Sequence, residues 1–129
     1  MEYYNSRKIS GLSFDEIRTL VEAALKIEGF GVLTEIDIQA TMKKKLNKDY
    51  LPHLILGACN PVYADKVLTL DPNISTLLPC NVTIREIENG DIIVSTINPE
   101  AAMSTIGNPE IEKSAIEIQE KLMRALNNF

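Results

Sequence analysis

Leu54-Ile55-Leu56-Gly57-Ala58-Cys59-Asn60-Pro61 is the stretch on which the reading of this chain turns. Its apolar start reads as a buried strand over 50–57. Two small residues and a thiol follow. Asn60 is a favoured helix N-cap and Pro61 a favoured first helical residue, so a helix over about 61–69 comes next. A second thiol stands at a similar corner, Leu77-Leu78-Pro79-Cys80, where an apolar segment broken by Pro79 leads into a strand. Both corners are expected at one rim of a small α/β domain.

Toward the N-terminus, residues 2–10 read as an edge strand. Ser13-Phe14-Asp15-Glu16 forms a capping box, and Phe14, Ile17, Val21, Ala24 and Leu25 follow at helical spacing, with Gly29 as the stop. That predicts a helix over 14–28. Residues 30–38 alternate, with Val32, Thr34 and Ile36 on one side and Leu33, Glu35 and Asp37 on the other. A short helix over 38–47 comes next. Toward the C-terminus, Val82–Glu88 and Asp91–Asn98 flank Asn89-Gly90, a pair that predicts a hairpin with a type I′ turn and both turn residues at positive φ. A short helical turn near 100–105 follows. Asn108 and Pro109 open a last helix, with Ile111, Ala115, Ile118, Leu122 and Ala125 on its inner face. The order β-α-β-α-β-α-β-β-α predicts an α+β two-layer sandwich in one domain over 1–129. Its sheet is largely antiparallel, with the helices on one face and the other face wet or covered by a partner.

The chain has 129 residues, 45% of them apolar and 24% charged, enough for one core without disulfide or metal staples. Net charge is −5, and the one basic run, Lys43-Lys44-Lys45, reads as the wet face of a short helix. Binding to nucleic acid needs clustered cations and stacking aromatics. With four Tyr, three Phe and no Trp, no nucleic-acid partner is expected. The start of the chain lacks the apolar core of a signal peptide, and no apolar run approaches the ~18 residues of a membrane span. A soluble, cytoplasmic protein with reduced thiols and no membrane partner is the expectation.

Four places carry a resemblance: Gly29-Phe30 followed by Glu35-Ile36-Asp37; Lys45-Leu46 before the third strand; Leu56-Gly57-Ala58-Cys59-Asn60-Pro61; and Leu77-Leu78-Pro79-Cys80 before the hairpin. Together they resemble the bacterial and archaeal family catalogued as "domain of unknown function 302", over nearly the whole chain. The resemblance implies a fold similar to the TATA-binding-protein type and a homodimer. It supplies no catalytic residues and no cofactor.

Each candidate residue has a plain structural reading beside its functional one. Cys59, just before a helix N-cap, is either a thiolate stabilised by the helix dipole or a small buried packer. Cys80 is either its redox or metal partner or a packed corner cysteine; no C-x-x-C spacing supports the former. His53 lies five residues before Ala58, roughly 16 Å along a strand, too far to serve Cys59 as a base. Glu35 and Asp37, roughly 6–7 Å apart on one strand face, form either an acid–base or cation pair or an ionic cluster with Arg85. Asn60 is a cap whose helix would also accept an anion.

No metal site, phosphate loop or catalytic constellation is present, and the sequence leans away from an enzyme without deciding the point. The first reading is a homodimeric small-ligand-binding or sensory module. Its site would be the rim of 57–61 and 77–80, built from Gly57, Cys59, Asn60, Pro79 and Cys80, for a small and conceivably anionic ligand. The alternatives are a thiol redox protein or metal/haem binder using Cys59 and Cys80, and a structural interaction domain without ligand.

Overall fold

Buried and open positions alternate along the middle strands, and that alternation sets the architecture. A computed structural model describes all residues, Met1–Phe129. Its strands are β1 (Tyr4–Ile9), β2 (Gly31–Asp37), β3 (His53–Cys59), β4 (Cys80–Glu86) and β5 (Ile92–Ile97). They form one sheet in the order β1-β5-β4-β3-β2, with every neighbouring pair antiparallel. The helices are α1 (Phe14–Ile27), α2 (Ile38–Leu46), α3 (Pro61–Leu70), α4 (Pro99–Met103) and α5 (Pro109–Leu126). The expected element order and the two-layer α+β class are both present.

One sheet face is buried under α1 and α5. Leu56, Ala58, Cys80, Val82, Ile84, Ile92 and Val94 meet Ile17, Val21 and Leu25 of α1 and Ile118, Leu122 and Ala125 of α5. Fully burying each large aliphatic side chain contributes about 1.5–3 kcal/mol. A second core joins α5 to α3 and α4 through Val67, Ile74, Met103, Ile111 and Ala115. The other face carries no helix from this core. Ser13 caps α1 through Glu16 N at 3.1 Å, and Asn108 caps α5 through Glu110 N and Ile111 N. No helix is long and apolar enough to cross a membrane.

Two expectations are corrected. The hairpin has no type I′ turn: of Asn89 and Gly90, only Gly90 has positive φ, at +88°. Gly90 N donates to Ile87 O and Ile87 N to Asp91 O, both at 2.9 Å. This is the three-residue loop in which a type I turn precedes one left-handed glycine. The Asn89 side chain accepts from Asp91 N at 2.9 Å, which holds Asn89 in its turn. In β2, a bulge between Val32 and Thr34 breaks the alternation. Val32 pairs with buried Ala58 on the helix side, while Thr34 and Ile36 pair with Gly57 and Ile55 on the open side.

Candidate functional site

The two thiol-bearing corners do converge. Ala58 pairs with Cys80 and Gly57 with Asn81 across β3–β4, so the end of β3 lies against the start of β4. Cys59, Asn60, Pro79 and Cys80 all line one cavity, with Phe30, Tyr63 and Ile118 closing it. That cavity holds about 20 Å³. Room for one water needs at least ~10–15 Å³, and small-ligand sites run to roughly 300–1,000 Å³. The rim is a packed corner, and its cavity is far smaller than a small-ligand site. Its small residues serve close packing. A methyl on Gly57 would overlap Thr34 Oγ1 and come within 2.7 Å of Pro79 Cγ.

Cys80 is a buried thiol. Burial first, and neighbouring Cys59 second, push its pKa up to about 11, so it stays protonated at neutral pH and is no nucleophile. Cys59 is half-buried, and both cysteines are free. No group of three or more His, Cys, Asp or Glu side chains is placed to hold a metal ion. Asn60 does not cap α3 through its side chain. Its amide donates instead to Glu28 O at 3.2 Å, which ties the start of α3 to the end of α1.

The expected cluster of Glu35, Asp37 and Arg85 is divided by the sheet. Glu35 and Asp37 pair with Leu56 and Leu54, whose side chains are buried on the helix side. There Glu35 meets Arg18 of α1 at 2.9 Å, and Asp37 caps α2 by accepting from Ala40 N at 2.9 Å. Arg85 pairs with His53 and Ile93 on the open face. His53 stands at the opposite end of β3 from Cys59, as its strand position requires.

The open face is an ordered lattice, readable from the registers. One row runs Ser6, Ser95, Thr83, Ile55, Ile36 across the five strands; the next runs Lys8, Ile93, Arg85, His53 across four of them. Tyr3, Tyr4, Asn81, Thr83, Arg85, Ser95, Thr96 and Ile97 enclose an open hollow of about 400 Å³. Arg85 has no carboxylate partner; the ion pairs of the chain are Arg18–Glu35, Lys43–Asp49 and Arg124–Glu28. His53 is held below its ordinary pKa by burial and then by the Arg85 guanidinium, so it is neutral at pH 7.

The family model described as "Domain of unknown function DUF302" matches residues 6–129. The chain belongs to the DUF302 family. A solved DUF302 structure, described as that of an uncharacterized conserved protein from Bacillus stearothermophilus, superposes with a TM-score of 0.91 at 26% identity. The superposition covers 99% of this chain and 98% of that one. A curated relative from Aquifex aeolicus (strain VF5), named "Uncharacterized protein", is 30% identical over 91 residues, 70% of this chain. The match spans 57% of that relative's length.

The α+β sheet expected from the DUF302 resemblance is thus present, whereas no residue lining the hollow belongs to the four family-like stretches quoted above, although Asn81 directly follows Cys80 and pairs with Gly57. Sequence reading singled out Arg85, but not Asn81, Ser95 or the two tyrosines. The alternation Asn81-Val82-Thr83-Ile84-Arg85 and Ile93-Val94-Ser95-Thr96-Ile97 carried the signal for each strand. Only the cross-strand register, Thr83 opposite Ser95, puts the two sets on one patch.

Proposed function

We propose that this chain is a small-ligand-binding module acting as a homodimer, with its ligand on the open sheet face and not at the thiol rim. The observation that carries the reading is the hollow of about 400 Å³ between Tyr4 and Arg85, a volume within the range of small-molecule sites. The floor is rigid β-sheet, and its walls mix aromatic, hydroxyl, amide and guanidinium groups, a combination suited to orienting one ligand. Free cysteines fit a reducing, cytoplasmic setting.

The dimer in this reading uses the free edge of β2. Leu33 and Ile36 are exposed there, and an uncovered apolar edge strand favours pairing with another chain. Face-to-face packing of two open faces is disfavoured, because Lys8 and Arg85 would be buried with no strand carboxylate opposite them.

Native mass spectrometry of freshly purified chain tests both parts. The expected result is a dimer retaining a small molecule, which is lost when Ser95→Trp fills the hollow. A monomer overturns the dimer. A chain that retains nothing, or a Ser95→Trp variant that keeps its molecule, overturns the site.

A further inference from the structure

The strand charges on the open face are all basic, while one strand cation, Arg7, lies on the helix side and donates to Leu126 O at 3.2 Å. The strand carboxylates are Glu35, Asp37 and Glu86, and all three share the helix side with Leu56, Leu54 and Ile92. The open side carries Lys8, Arg85 and His53 in one row and no strand carboxylate. This separation occurs in a protein whose net charge is −5. A surface arranged by chance in an acidic chain would be expected to place acids on both sides.

The row beside Lys8 and Arg85 supplies hydrogen-bonding groups. Thr83 faces Ser95 directly across β4–β5, and Ser6 faces Ser95 across β1–β5. Asn81, Thr83, Arg85 and Ser95 enter none of the chain's side-chain hydrogen bonds or ion pairs. An unpaired guanidinium one row along from two hydroxyls, with an amide beyond them, is a donor-rich patch that no carboxylate of the chain occupies. Guanidinium binds carboxylate and phosphate with paired, charge-assisted hydrogen bonds. Beyond Arg85 in the hollow stand Ile97 and the tilted pair Tyr3–Tyr4, ring centroids 4.9 Å apart. They offer an apolar wall for the rest of a ligand.

We infer that the open-face hollow is an oxyanion-recognition site. Arg85 takes a carboxylate or phosphate group, Thr83 and Ser95 add hydrogen bonds to it, and Tyr4 packs against the body of the molecule. The open face of a second copy does not fit this face, since it would bring the same cations and no strand carboxylate. The inference rests on the ligand-binding reading above and names the ligand class for it.

Amide-resolved NMR titration of the full chain tests it, with inorganic phosphate and succinate as separate probes in the millimolar range, against chloride at equal ionic strength. Expected are saturable shifts at Thr83, Arg85 and Ser95 with at least one probe. Affinity should fall at least tenfold in Arg85→Gln, with the fold unchanged by circular dichroism. Phosphate alone, succinate alone or both would each support the site and identify the group it prefers. The inference is overturned by shifts with neither probe, by shifts that survive Arg85→Gln, or by equal shifts at Lys43–Lys45. A native molecule displaced by Ser95→Trp but retained by Arg85→Gln would sink the anion class and leave the ligand-binding reading standing.

Discussion

Replacing Gly57 with Ala should destabilise this protein, although its backbone conformation admits any residue. Gly57 lies in β3 outside the positive-φ glycines, so Gly→Ala would ordinarily stabilise by about 0.4–1 kcal/mol through the unfolded chain. Space decides otherwise. The new methyl would overlap Thr34 Oγ1 and meet Pro79 Cγ at 2.7 Å, and neither a β-branched side chain nor a proline ring yields easily. Overpacking of this kind costs about 1–3 kcal/mol, leaving a net loss of roughly 1.3 kcal/mol at the midpoints and about 2.6 kcal/mol at most. At roughly 4 °C per kcal/mol for a chain of this size, Tm should fall by about 5 °C, and by no more than about 10 °C. Gly31→Ala is the control: nothing lies within 4 Å of its added methyl, and it should be neutral or slightly stabilising. Thr34→Ala removes the nearer obstacle, so the cycle Gly57→Ala, Thr34→Ala should show a favourable coupling of about 0.5 kcal/mol or more. The assay is urea unfolding of the four proteins. A Gly57→Ala protein as stable as the parent, or a cycle without coupling, would refute the argument that the rim is closed by contact.

Cys80 should resist alkylation. With its pKa near 11, about one molecule in a thousand is thiolate at pH 8, and the native chain should take up at most one alkyl group, at Cys59, against two in urea. The raised folded pKa also stabilises below the ordinary thiol value of 9.0, an advantage lost as pH rises toward 11. The stability gap between the parent and Cys80→Ala should therefore narrow across that window, and a constant gap would contradict the burial. His53 should titrate below 6.5 by NMR. Burial favours its neutral form, so its contribution to stability is present above pH 6.5 and lost as pH falls through the folded value. Arg85→Gln should move the midpoint upward, and an unmoved midpoint would place the guanidinium away from the imidazole.

Elements came from local rules and so could be read from the chain alone. Ser13, Asn108, Pro61 and Pro109 mark helix starts by chemistry that acts within one turn, and the periodic apolar residues of α1 and α5 face the core as their spacing requires. The thiol corners also met as expected, because an antiparallel β3–β4 pair brings the end of one strand to the start of the next. What was missed depended on contacts between distant segments. The bulge at Leu33 changes which side Val32 faces, and nothing local to Val32-Leu33-Thr34 announces it. Placing Glu35, Asp37 and Arg85 on one face needed a β2–β3–β4 register that no single strand reveals. Asn60 was assigned to its own helix because capping is local, while its observed partner, Glu28 O, lies 32 residues away.

The rim and the open face depend on each other through that register. Side chains alternate along a strand, so a slip of one residue between β3 and β4 would turn Asn81, Thr83 and Arg85 under the helices and put Val82 and Ile84 in water. The pairing of Ala58 with Cys80 fixes the count at one end of the strand, and the packing of Thr34 and Pro79 over Gly57 leaves no room for an alternative. Small residues at 57–59 therefore have a purpose that needs no reactive sulfur. They lock β4 so that its polar side chains stand in line with Ser95 and Ser6, while its apolar ones, Val82 and Ile84, complete the core. Both free cysteines sit at this packed corner, and the polar row that the corner holds facing outward is the face on which the proposed site stands.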